Sequence, residues 1–144
     1  MRALHVLKHV DIIACEDTRH SSQLLSGYGI KKKLIALHQH NELDKAERIT
    51  KIVVDGKSVA YISDAGTPAI SDPGAALVEH FHNLKLDVFS IPGPSALVAA
   101  FSISGFETSH FQFLGFLPNT IGKRKKTLIN IYNSNITTIF YESP

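Results

Sequence analysis

KSVAYISDAGTPAISDPG, residues Lys57 to Gly74, changes character twice along its length. Val59, Ala60, Tyr61 and Ile62 are a short apolar run of strand formers. Ser63-Asp64-Ala65-Gly66-Thr67-Pro68 then breaks the pattern with residues that neither a strand nor a helix interior tolerates. Ser71-Asp72-Pro73-Gly74 restarts it, since Ser or Asp caps a helix and Pro73 suits a first turn. In a parallel sheet such a connection lies at the carboxyl end of its strand, where ligands bind. Ala65 and Gly66 leave the backbone N–H and C=O groups accessible, and Asp64 adds an acceptor at the strand tip. Turn chemistry alone explains the same residues, so a capped connection without a ligand stays open at this point.

Working outward, the chain alternates helices with strands. Helices are expected over Ala3–Val10, Ser21–Tyr28, Leu43–Val54, Ala75–Leu84 and Ser95–Ser104. Strands are expected over Asp11–Cys15, Lys33–Leu37, Val59–Ile62, Leu86–Ile91 and Thr137–Tyr141. This order predicts an α/β fold, an open and mostly parallel sheet flanked by helices. Near Ser109 aromatic residues replace the small aliphatics, and a basic helix leads to the last strand. A boundary is therefore expected at a hinge near Gly105–Ser109, giving an α/β domain over 1–108 and the start of a second over 109–144. A helix directly after Met1, and an ending just past one strand, suggest a chain cut at both ends.

The 144 residues suffice for a real core, and 44% apolar with 19% charged content predicts a soluble globular chain. No apolar run approaches a membrane span, and no basic-then-apolar leader is present. Cys15 is the single cysteine, so no internal disulfide forms, in keeping with a reducing cytoplasm. The formal charge of +2 is small, but Lys31-Lys32-Lys33 and Lys123-Arg124-Lys125-Lys126 concentrate it locally. The second run is the better candidate for RNA, because it follows Gly115-Phe116-Leu117-Pro118; a solvated helix face is the alternative. Lys31 to Lys33 read as ordinary surface.

Several patterns fall away on inspection. Gly56-Lys57-Ser58 imitates the end of a phosphate-binding loop, but Lys51 stands where glycine is needed and the strand follows instead of preceding. The pairs His5/His9, His38/His40 and His80/His82 lack a third ligand, so no metal is expected. No G-x-G-x-x-G is present. Gly93-Pro94-Ser95-Ala96-Leu97 sits between a strand and a helix as a nucleophile elbow would, with Ser95 as nucleophile; Leu97 replaces the second glycine, and His110 is the one later histidine.

Five stretches in order carry a resemblance that spans essentially the whole chain: Ala14-Cys15-Glu16-Asp17-Thr18-Arg19, His40-Asn41-Glu42, Ser63 to Gly74, Ile91-Pro92-Gly93-Pro94-Ser95-Ala96, and Gly115-Phe116-Leu117-Pro118. The chain resembles the bacterial small-subunit ribosomal RNA methyltransferases that modify the 2′-oxygen of a cytidine, a class III, tetrapyrrole-methylase-like family. The resemblance implies S-adenosylmethionine as cofactor, no metal, and a site formed between two domains. It implies cofactor contacts at Asp64, Ala65, Gly66, Thr67, Ser95 and Ala96, with Phe116, Leu117 and Pro118 as apolar walls. Glu16, Asp17, His40 and Glu42 are candidates to take the ribose proton, and Arg19 with Lys123, Arg124, Lys125 and Lys126 to hold RNA. Asp17 and Arg19 read equally as a structural ion pair and helix cap. The family begins with a further strand and a Pro-, Gly- and Asn-containing loop and continues into a full second domain. It further implies small-subunit rRNA or a ribosomal subunit as partner, a homodimer, and no membrane. Methylation of a small molecule such as a tetrapyrrole, hydrolysis through Ser95, and RNA binding without catalysis are the rival functions.

Overall fold

Ile12, Ile13, Ala14 and Cys15 are all buried because they form the middle strand of a sheet. In the computed structural model, which describes residues 1–37 and 42–143 without the side chains of 42–44, β1 (Ile12–Cys15) lies between β2 (Lys33–Ala36) and β3 (Val59–Ile62). Both pairings are parallel: Ile12 stands opposite Lys33 and Val59, and Cys15 opposite Ala36 and Ile62. A parallel strand covered on both faces reads as a continuous apolar run, which is what Ile12–Cys15 offers within the expected Asp11–Cys15. Parallel neighbours need crossovers, so α2 (Thr18–Gly27) links β1 to β2 and α3 (Glu42–Val54) links β2 to β3.

Successive residues of β1 point to opposite faces and join two apolar clusters. Ala14 packs with Leu37, Ala46 and Ile49, and with Leu77 and Phe81 of α4 (Ala75–Asn83). Ile13 packs with Val10, Leu25 and Ile30, and Leu4, Val6 and Leu7 of α1 (Arg2–His9) close over them. Helix α2 begins three residues before the expected Ser21, because the Asp17 side chain caps it by accepting the Arg19 N–H at 2.8 Å.

Leu86–Ile91 does not form the expected strand. The Leu86 N–H closes the preceding helix on the Phe81 carbonyl at 2.9 Å, and Leu86 itself packs on the first cluster. No described strand pairs with the residues beyond it, although the outer edge of β3 is unpaired in the described sheet, and Phe89 is 78% exposed. Composition suited a strand, but a ladder needs a partner.

The chain divides into two compact units, Met1–Pro94 and Ser95–Pro144. The second holds α5 (Ala96–Ile103) and a parallel pair, β4 (Gln112–Phe116) and β5 (Thr138–Tyr141), joined by α6 (Ile121–Ser134). Strand β4 was not expected, since Gly115 reads as a chain break. It serves instead as a bulge at φ 65°, within the register shift between Phe113 and Phe116. No helix among the described residues is long and apolar enough to cross a membrane.

Candidate functional site

Strands β1 and β3 end side by side at Cys15 and Ile62, so the loops that follow leave from one edge of the sheet. The loop after β3 is held by its own bonds. Ser63 Oγ donates to the Ala65 carbonyl at 3.1 Å, the Ile70 N–H to the Thr67 carbonyl at 3.1 Å, and the Ala69 N–H to the Pro73 carbonyl at 3.1 Å. Asp64, Ala65, Gly66 and Thr67 are exposed, and Gly66 adopts φ 70°. Ala69 and Ser71 also lie in the left-handed region, at φ 67° and 59°. Neither residue type favours it, and such conformations cost about 1–3 kcal/mol each, which marks the loop as strained. The expected Ser71 or Asp72 cap is absent, for Gly74 occupies the cap position of α4 at φ 126°.

Three carboxylates gather at this edge. Asp17 is gripped by its neighbour, with Arg19 Nη2 2.9 Å from Oδ2 and Nε 3.3 Å from Oδ1. The Arg19 side-chain and backbone bonds hold its carboxyl at about 2. Asp64 Oδ1 lies 3.6 Å from His20 Nδ1, so the first turn of α2 meets the tip of β3. Burial raises the Asp72 carboxyl, and the charge of Asp64 raises it further. Burial likewise pushes the Cys15 thiol up; a Ser21 hydrogen bond opposes this, while Asp64 and Asp17 add to it.

Of the residues expected at a site, Glu16, Asp17, Arg19 and Asp64–Thr67 therefore share the strand-tip edge. Glu16 is half-buried there. His40 and the Glu42 side chain lie outside the described residues. His20 and Asp72 were not anticipated. His20 was detectable once Asp17 was taken as the cap, which puts His20 in the first helical turn; Asp72 was masked by its reading as a cap.

The remaining expected residues belong to the second unit. Ser95 caps α5 with extended backbone, φ −134° and ψ 117°, and no side-chain bond. With residues 86–95 outside any strand, the strand-to-helix elbow that a serine nucleophile requires is missing. Ala96 is exposed; Phe116 is 56% exposed and meets Tyr141 edge-on at 5.5 Å, whereas Leu117 is buried. Arg124 is spent internally, its Nε donating to the Pro118 carbonyl at 3.1 Å and Nη2 to Glu142 Oε1 at 3.2 Å. Lys123, Lys125 and Lys126 of α6 remain exposed.

Comparison with known proteins agrees with this architecture. The sequence profile of the tetrapyrrole (corrin/porphyrin) methylases matches residues 1–144. Proteins named ribosomal RNA small subunit methyltransferase I are similar along nearly the whole chain: that of Xylella fastidiosa is 48% identical over 99% of this chain and 52% of its own length. That of Haemophilus influenzae is 49% identical over 99% and 50%, and that of Neisseria meningitidis serogroup B 43% identical over 100% and 50%. The chain thus spans about half the length of the curated relatives it matches. With a parallel sheet whose strand tips carry an exposed, strained glycine loop, and with a family profile matched from end to end, the chain belongs to the tetrapyrrole methylase family.

Proposed function

We propose that this chain carries the S-adenosylmethionine-binding part of an enzyme that methylates the ribose 2′-hydroxyl of a cytidine in small-subunit ribosomal RNA. The observation that carries the proposal is the open backbone at Asp64–Thr67 beside an acidic edge. A Cβ on Gly66 would meet only Asp72 Oδ2, at 3.7 Å, so the space above this backbone is free. The carboxylates of Asp17 and Asp64, with Asp72 behind, supply a field that attracts a cation. These residues fit a sulfonium cofactor, which when bound supplies a methyl group already activated by positive charge. In the second unit, Ser95 and Ala96 offer the free N–H groups of a helix start, and Phe116, Leu117 and Pro118 an apolar surface.

Much of the rate then comes from alignment, because methyl transfer to oxygen is an in-line displacement. The oxygen–carbon bond forms as the carbon–sulfur bond breaks, the electron pair stays on sulfur, and the 2′-proton leaves to a base. Asp17, kept at about 2 by Arg19, is a weak acceptor for that proton. Glu16 stands at the same edge, and His40 and Glu42 follow the neighbouring strand β2 in the chain. Exposed Lys123, Lys125 and Lys126 neutralise RNA phosphates, while Arg124 braces the segment that presents them. Residues 1–108 serve as the cofactor domain and 109–144 open the substrate-side domain of a cytoplasmic homodimer.

Isotope-labelled S-adenosylmethionine tests the proposal directly. The expected product is label in small-subunit RNA at one cytidine, resistant to alkaline cleavage on its 3′ side. Label on a base, or on a tetrapyrrole in place of RNA, would overturn the substrate assignment. The tetrapyrrole reading draws its support from the family description alone. Calorimetry showing no saturable cofactor binding would remove the cofactor assignment.

A further inference from the structure

At the amino end of β2, away from the strand tips, lies a cleft of about 400 Å³ lined by α2 and the segment that leads into the strand. Ser22 and Ser26 stand four apart on α2 and share its face. Lys31 and Lys32 supply the opposite side, and buried Leu25 and Ile30 form an apolar floor. Neither serine hydroxyl has a hydrogen-bond partner, and neither lysine an ion pair, among the described residues. The carboxylate whose charge reaches this cleft is Asp11, and it is committed elsewhere: it accepts the Ser58 N–H and Oγ–H, both at 2.8 Å. Those bonds, backbone first, hold its carboxyl low, with Lys32 and Lys57 adding their charge. Lys32 is half-buried and Lys33 follows exposed, so positive charge is concentrated here and Asp11 offsets only part of it.

Ammonium groups only donate hydrogen bonds, and the two hydroxyls donate readily, so the lining selects an anion rich in acceptors. The adjoining apolar floor suits a ring or sugar joined to that anion. We propose that this cleft is a second RNA contact, seating one backbone phosphate on Lys31, Lys32, Ser22 and Ser26 with its nucleoside over Leu25 and Ile30. It rests on the proposal that the substrate is RNA. No group in the cleft is a planar amide or guanidinium suited to pairing with base edges, so the contact positions the strand and is indifferent to sequence. Four residues of strand separate it from the tips of the sheet, about 13 Å, so it acts on binding and leaves the chemistry alone.

Binding of a fluorescent small-subunit rRNA fragment across a salt series tests this, with S-adenosylmethionine calorimetry and a melting curve run on each variant. Lys31→Gln/Lys32→Gln is expected to weaken RNA binding about tenfold near physiological salt and to lower the slope of log Kd against log salt by about 1–2. Lys31→Arg/Lys32→Arg restores both, and Ser22→Ala/Ser26→Ala weakens binding without changing the slope. Cofactor affinity and melting temperature stay at wild-type values throughout. Wild-type affinity and slope in the double glutamine variant would overturn the site. If the wild-type protein binds cofactor but no RNA, the cleft proposal falls while the cofactor assignment stands. If it binds RNA through these lysines and no cofactor, the reverse holds.

Discussion

A methyl group placed on Gly74 would come within 2.6 Å of the Tyr61 ring carbon Cε1, at a backbone φ of 126° that side chains rarely adopt. Gly74→Ala is therefore expected to destabilise the first unit by roughly 2–4 kcal/mol, read as a lower urea midpoint at unchanged slope. Gly66→Ala meets only Asp72 Oδ2 at an ordinary 3.7 Å and costs the left-handed backbone, about 1–2 kcal/mol, yet under the proposed function it stands beside the cofactor. It should weaken S-adenosylmethionine binding at least tenfold by calorimetry; unchanged affinity would remove this loop from the cofactor site. For Asp17 the signature is pH. Its folded value of about 2 lies below the ordinary 3.8, so its stabilisation is complete above that ordinary value and is lost as pH falls toward 2. The stability gap between wild type and Asp17→Asn should hold near neutrality and vanish near about pH 2. At this scale the sequence showed the exposed glycine and the possible Asp17–Arg19 pair. It hid Ala69 and Ser71, because neither residue type announces a positive φ.

Elements were legible where their apolar pattern and their partner coincide. Ile12–Cys15 is apolar because it is central, and the pattern said so. Leu86–Ile91 carries the same kind of pattern without a partner, which no single-chain pattern can reveal. The amides of residues 87–91 should accordingly exchange with solvent far faster than those of β1, a contrast that hydrogen-exchange mass spectrometry reads directly. Equal protection would mean that the segment is paired. Strand β4 escaped notice for the opposite reason: Gly115 looks like an end but makes a bulge. The basic run of helix α6 holds one residue bonded inside its unit, Arg124, and three exposed lysines. Arg124→Gln should lower the stability of the second unit by loosening Pro118 and Glu142, whereas Lys123→Gln or Lys125→Gln should leave it unchanged and reduce the salt dependence of RNA binding.

Across the whole molecule the two units differ in how much they bury. Among the described residues, thirteen of the fourteen buried apolar ones belong to Met1–Pro94, and Leu117 is the one from Ser95–Pro144. A unit so short buries too little apolar surface to be independently robust. On heating, amide protection in the second unit should be lost before that in the first; simultaneous loss would show that the two melt as one. The presence of a parallel sheet was legible from alternation, whereas the uneven core was not, since apolar content is similar in both parts and burial depends on what packs against it. Cys15 turns that core into its own reporter. Its sulfur has no exposure, and its proton is held by desolvation, so an alkylating reagent meets a reactive thiolate only when the middle of the sheet comes apart. With no competing thiol in the chain, the labelling rate becomes a clock for that opening, readable by mass in unpurified mixtures and with no probe attached beforehand.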